Sequence, residues 1–165
     1  YLDTDVEFIK PFRDTFLNYN AFTGFEDHLV AAGIIGSVKN GKWVGDLLTF
    51  YNNKSFYLPN GNLDIIPITE LITDYLCSEK GVLANNAYQN IEGYCAIYPS
   101  EYFYPKSWKT LKMNITPNTY CIHHFAGSWI DHNYTFLGKV ANWILGKRVA
   151  ENWSRKYRKF RGRGG

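Results

Sequence analysis

The chain reads as an α/β domain, and three observations carry that reading. Short apolar runs suited to strands alternate with segments whose apolar residues recur at helical spacing. Breakers at Pro11, Asn60 to Asn62, Pro67 and Pro99 separate these runs from one another. With 5 Trp, 13 Tyr and 11 Phe among 165 residues, the chain has enough large rings to fill a core around a sheet. A composition 45% hydrophobic and 20% charged fits one compact domain and excludes disorder of the whole chain. No apolar run reaches the roughly 18 residues that a membrane-spanning helix needs.

Taken in order, Tyr1 to Phe8 reads as a strand end running into a turn, with Leu2 and Val6 apolar, Asp3 and Asp5 polar, and Pro11 stopping any early helix. Phe22 to Phe25 is a second extended piece. Ala31 to Val38, sequence AAGIIGSV, is small and glycine-punctuated, so backbone there can approach a ligand or another element closely. Trp43, Val44, Leu47, Leu48 and Tyr51 predict a helix over Lys42 to Asn52. Asn60 to Asn62 predicts a turn, and Pro67 precedes a second helix whose stripe is Ile68, Leu71, Ile72, Tyr75 and Leu76. Ala96 to Tyr98 and Tyr120 to Phe125 read as strands separated by a loop from Pro99 to Lys112. From Phe136 onward, Leu137, Ala141, Leu145, Val149, Trp153 and Tyr157 predict an amphipathic helix, weakened at Gly138 and Gly146. The expected organisation is a body at 1–135 and a basic helical tail at 136–165.

Charge divides the same way. Residues 1–138 carry a net charge of −5, and residues 139–165, with Glu151 their one acid, carry +8. A mildly acidic body suits cation binding, while the tail can face the phosphates of an anionic membrane or of RNA. Cys77, Cys95 and Cys121 are an odd number without C-x-x-C spacing, so neither a disulfide framework nor a zinc knuckle is expected, and a reducing, cytoplasmic compartment is the simplest reading. The chain opens on Tyr1 inside a strand-like run, as a piece of a longer protein would.

The sharpest local signal is Asp3-Thr4-Asp5. In extended backbone, carboxylates at i and i+2 point the same way, so one can bind a divalent ion while the other takes a sugar hydroxyl or a metal-bound water. Hard oxygen ligands favour Mg²⁺ or Mn²⁺. The second signal is His123-His124-Phe125-Ala126-Gly127-Ser128-Trp129. Histidine leaving a strand, then a small-residue turn presenting a hydroxyl, an indole N–H and backbone amides, can complete a metal shell and hold a diphosphate. The plainer alternatives are a solvated turn for the aspartates and a core histidine beside a buried tryptophan.

YLDTDVEFIKPF at Tyr1 to Phe12, GFE at Gly24 to Glu26, IYPSEYFYPKSW at Ile97 to Trp108 and YCIHHFAGSW at Tyr120 to Trp129, in that order, resemble the D-x-D sugar-transferases of glycosyltransferase family 32. That family includes capsular-polysaccharide enzymes and initiating mannosyltransferases. The resemblance implies a GT-A fold, of which this chain would be the C-terminal portion without the first strands, and transfer of a sugar from a UDP- or GDP-sugar to an acceptor hydroxyl, typically with retention. It implies that Asp3 contacts the donor ribose or sugar and Asp5 ligates Mn²⁺ or Mg²⁺. His123 would sit near the metal, and Ser128 with Trp129 would grip the β-phosphate, with Gly127 and His124 beside them. Glu26, Gly33, Asp64 and Glu70 are candidates for the acceptor or sugar pocket, each carboxylate having an ordinary loop or helix acid as its alternative. The expected acceptor is a saccharide or a lipid-linked saccharide, with the tail at the inner face of a membrane. Two other readings stand beside this one: a non-catalytic fragment that only holds metal and diphosphate, and a module acting through its basic tail on RNA or membrane.

Overall fold

The computed structural model describes residues 1–12, 14–52, 54–61, 64 and 66–126. The chain divides into two compact units, the first Tyr1–Lys54 with Ile66–Phe125, the second Ser55–Ile65 with Ala126–Gly165. No helix among the described residues is long and apolar enough to cross a membrane.

The first unit is a mixed α/β domain. Its elements run β1 (Val6–Phe8), α1 (Asp14–Leu17), β2 (Ala21–Glu26), β3 (Leu29–Val30), β4 (Gly36–Ser37), α2 (Lys42–Tyr51), α3 (Ile68–Lys80), β5 (Gln89–Ile91), β6 (Cys95–Tyr98), α4 (Ser100–Phe103) and β7 (Cys121–His123). A five-stranded sheet has the order β3-β2-β6-β5, with β4 also pairing β2. Only β2 and β6 are parallel, Thr23 facing Ile97, and α2 and α3 lie in the connection between them. A separate two-stranded pair joins β1 to β7 antiparallel, in a register that sets Val6 opposite His123.

The central strands are buried on both faces, and the two-residue side-chain period sorts their residues between two cores. Ala21 and Phe25 of β2 and Cys95 and Ile97 of β6 pack with Trp43 of α2 and Ile72 and Leu76 of α3. Phe22, Ala96 and Tyr98 point the other way, onto Phe16 of α1, Phe103 of α4 and Cys121 of β7. In this second core Phe12 meets the rings of Phe16, Phe22 and Phe103 edge-on at 5.4 to 5.8 Å. Truncating one such ring costs about 3–5 kcal/mol. Thr73 ties α3 to the sheet, since its hydroxyl donates to Thr69 O at 2.6 Å and accepts from Val30 N–H at 2.8 Å.

Several expectations are corrected by this arrangement. The aspartate pair does not sit in extended backbone: Val6 N–H donates to Asp3 O at 3.2 Å, closing a turn before β1 begins. The second helix runs four residues past Leu76, because nothing stops it before Gly81, which takes the left-handed conformation at φ 68°. The loop after Pro99 opens with the single turn α4, a proline-led start with Glu101 in its first turn. The last strand is shorter than expected. His124 N–H still donates to Asp5 O at 3.0 Å, one step further along the same register, and the strand ends where Phe125 turns left-handed at φ 53°.

In the second unit, Gly61 N–H donates to Leu58 O at 2.9 Å and Asp64 N–H to Phe56 O at 2.8 Å, giving the turn expected around Asn60. The amphipathic helix expected from Phe136 lies outside the described residues.

Candidate metal centre

The Asp3-Thr4-Asp5 turn is held from both sides by backbone. Upstream, Tyr1 to Asp3 runs antiparallel to Gly33 to Ile35: Asp3 N–H donates to Gly33 O at 2.8 Å and Ile35 N–H to Tyr1 O at 3.0 Å. Downstream, the β1–β7 pairing brings in His123. Thr23, wholly buried in β2, directs its hydroxyl at the carbonyls of Ala31 and Ile34, each at 2.9 Å, and so fixes the glycine-punctuated segment against which the turn rests.

The consequence is a group of three side chains. His123 Nε2 lies 3.1 Å from Asp5 Oδ1 and 3.4 Å from Asp3 Oδ2. One ligand atom from each of Asp3, Asp5 and His123 falls within 4.8 Å of the others. The imidazole is 12% exposed and the carboxylates are more open, at 34% and 25%, so the group faces outward through its oxygens. Tyr1 donates its hydroxyl to Asp3 Oδ1 at 2.6 Å, which turns Oδ2 toward the histidine. That bond, with the carboxylate charge behind it, raises the Tyr1 phenol above its usual range.

Gly33 completes the floor. A Cβ there would stand 2.9 Å from Asp3 Oδ2, 3.2 Å from His123 Cε1 and 3.3 Å from His123 Nδ1. Tyr104 sets its ring edge-on to His123, centroids 5.8 Å apart. Its hydroxyl is buried beside the Thr23 side chain and the Ile34 backbone. Burial pushes that phenol well up, and the charges of Glu26 and Asp3 add to it. Glu26, at the end of β2, is pushed up to about 7, chiefly by burial, then by Asp27 and Asp3, with Lys109 opposing.

The sequence-derived candidates therefore separate. Asp3, Asp5, His123 and Gly33 come together, and Glu26 lies within electrostatic reach of Asp3. His124 turns its ring away, pairing Nε2 with Glu7 Oε2 at 2.7 Å, and serves the group through the backbone bond to Asp5. Glu70 is an exposed acid in the first turn of α3, where it complements the helix dipole. Asp64 belongs to the second unit. Gly127, Ser128 and Trp129 lie outside the described residues. Sequence reasoning missed Tyr1, Thr23, Tyr104 and Lys106, whose ammonium donates to His124 O. For Tyr104 its place four residues before the end of a strand-led motif gives no signal, because its approach to His123 depends on α4 folding back onto β2.

The donor set fits a divalent cation. Cis ligands at about 2.1 Å from an octahedral ion lie roughly 3 Å apart, close to the spacing of both carboxylate oxygens from Nε2. Two carboxylates with one imidazole lean toward Mn²⁺ rather than Mg²⁺, which prefers oxygen alone. Buried Nδ1 has no hydrogen-bond partner among the described residues, so the second-sphere acceptor common behind a metal-bound histidine is not found there. No family model matches the chain, and neither the curated proteins nor the solved structures compared with it give a match.

Proposed function

We propose that this chain is the metal-binding, acceptor-side portion of a metal-dependent glycosyltransferase of the GT-A type. It would transfer a sugar, with retention, from a UDP- or GDP-sugar to a saccharide or lipid-linked saccharide acceptor in capsular or cell-surface polysaccharide synthesis. The observation that supports this most is the meeting of Asp3, Asp5 and His123, which come from two of the four motifs that resemble glycosyltransferase family 32 and stand 118 residues apart at Asp5 and His123. Chance solvated acids have no reason to converge on a nearly buried imidazole.

When bound, Mn²⁺ or Mg²⁺ supplies positive charge against the departing diphosphate. The chain's own groups prepare for that. Asp3 and Asp5 present partly exposed oxygens, Tyr1 hydrogen-bonds the Asp3 carboxylate, and Gly33 leaves the space that lets Asp3 approach His123. Such fixed groups stabilise developing charge without reorganising. On the same proposal the protein works in the cytoplasm at the inner face of a membrane, with the basic residues at 139–165 toward anionic lipid.

The test is Asp5→Ala, assayed for metal-dependent hydrolysis of UDP- and GDP-sugars. Loss of hydrolysis with an unchanged circular dichroism spectrum and Tm is expected, and undiminished turnover would remove the proposal.

A further inference from the structure

A hairpin outside the metal group connects it to an exposed indole. Pro105 to Asn114 folds back on itself, Lys106 bridging Met113, Ser107 N–H donating to Lys112 O at 2.9 Å and Leu111 N–H to Ser107 O at 2.8 Å. Its base is fixed where Lys106 donates to the carbonyl of His124, the residue whose N–H holds Asp5. Its tip faces the β2–β3 turn, where Lys109 Nζ stands 3.7 Å from Asp27 Oδ2 and 5.2 Å from the centroid of the Trp108 ring. Asp27 reaches Lys109 from the β2–β3 turn, where its own φ is 56°. Trp108 remains 46% exposed.

We propose that Trp108, Lys109 and Asp27, with Glu26 behind them, form a saccharide subsite for the acceptor, a refinement that rests on the glycosyltransferase reading. The chemistry of a neutral pyranose matches what is present. Its C–H face carries slight positive charge and lies well on the negative face of an indole. Its hydroxyls need acceptors and donors at the ring's edge, which the Asp27 carboxylate and the Lys109 ammonium supply. Glu26, next to Asp27 at the end of β2, adds a further carboxyl to the same edge. A hairpin closed by its own backbone bonds and held at its base by Lys106 presents the indole at a lower ordering cost than an open loop.

The experiment is saturation-transfer NMR of the full chain with mannotriose, maltotriose, cellotriose and chitotriose at millimolar concentration, comparing the native protein with Trp108→Ala and Trp108→Phe. At least one trisaccharide should receive saturation on ring C–H protons of one face. That signal should fall at least five-fold in Trp108→Ala and persist in part in Trp108→Phe. Mn²⁺ affinity, followed by electron paramagnetic resonance in the same samples, should stay within two-fold of native. Saturation of none of the four, a signal undiminished in Trp108→Ala, or loss of Mn²⁺ binding in that variant would each overturn the subsite. Saccharide binding that depends on Trp108 without any nucleotide-sugar hydrolysis would instead sink the transferase reading and leave the subsite standing.

Discussion

Asp3 and Gly33 are joined by a 2.8 Å hydrogen bond from the Asp3 amide to the Gly33 carbonyl, and that pairing presses the Cα of Gly33 against the Asp3 carboxylate. The space is one hydrogen wide. A methyl group in its place would be 2.9 Å from Asp3 Oδ2 and within 3.3 Å of the imidazole. Gly33→Ala should therefore move Asp3 off His123 and weaken Mn²⁺ binding at least ten-fold, about 1.4 kcal/mol. Its Tm should drop by only a few degrees, because the closest atom, Asp3 Oδ2, belongs to a partly exposed carboxylate that can rotate away. Calorimetric titration with Mn²⁺ reads the effect, and native affinity in this variant would separate Gly33 from the site.

The imidazole makes a second, different demand. If Nε2 is a ligand, removing it should hurt an ion that accepts nitrogen more than one that prefers oxygen. His123→Ala should lower Mn²⁺ affinity by ten-fold or more and Mg²⁺ affinity by less than three-fold. Equal losses would mean that His123 only holds the carboxylates through the 3.1 Å contact with Asp5.

How much of this could be read in the sequence depends on the range of the interaction. Helices α2 and α3 were legible because their apolar stripes repeat within one or two turns, and β2 and β6 because they are short apolar runs between breakers. Polar β5, sequence QNI, carries no such signal and exists because β6 offers it an edge. In the site, the motifs named Asp3, Asp5 and His123, but the contact of Gly33 with two of them follows from a strand-like pairing 30 residues along the chain. No local pattern encodes that. At Asp3-Thr4-Asp5 the sequence suggests extended backbone where the structure has a turn, because the defining bond, Val6 N–H to Asp3 O, forms just before strand pairing begins at β1.

Thr23 is an unusual residue to find wholly buried in the middle of an apolar strand, and its two carbonyl partners explain it. Thr23→Val keeps the shape and removes the donor, leaving the Ala31 and Ile34 carbonyls without it. A loss of about 1–3 kcal/mol in urea-unfolding stability is expected, accompanied by weaker Mn²⁺ binding, since the segment that carries Gly33 is released. A variant as stable as native would show that those carbonyls find other partners.

The thiols give a check on the core that needs no substitution. Cys95 and Cys121 are buried, and burial pushes the Cys121 thiol up to about 12 and the Cys95 thiol higher still. Cys77, half-buried on α3, is the one a reagent can approach. Titration with an aromatic disulfide at pH 8 should release about one equivalent quickly and the other two only in denaturant. Three fast equivalents would contradict the packing around β6 and β7.

Glu26 should make stability depend on pH in the direction opposite to that of most acids. Its ordinary value is 4.5 and burial, with Asp27 and Asp3 nearby, holds it at about 7 in the folded chain, against the opposing charge of Lys109. The folded state thus binds the proton more tightly than the unfolded state. Whatever this group contributes is fully present below pH 4.5 and is lost as pH rises through about 7. The buried Tyr104 hydroxyl, also near Glu26, stays neutral throughout that window and does not alter the sign. Glu26→Gln removes the titration while keeping the shape. The stability of the variant minus that of the native chain should be near zero at pH 4 and rise to as much as ~3 kcal/mol at pH 8. Urea unfolding at intervals across that range measures the difference, and a flat difference would mean that Glu26 is solvated and ionised like any surface carboxylate.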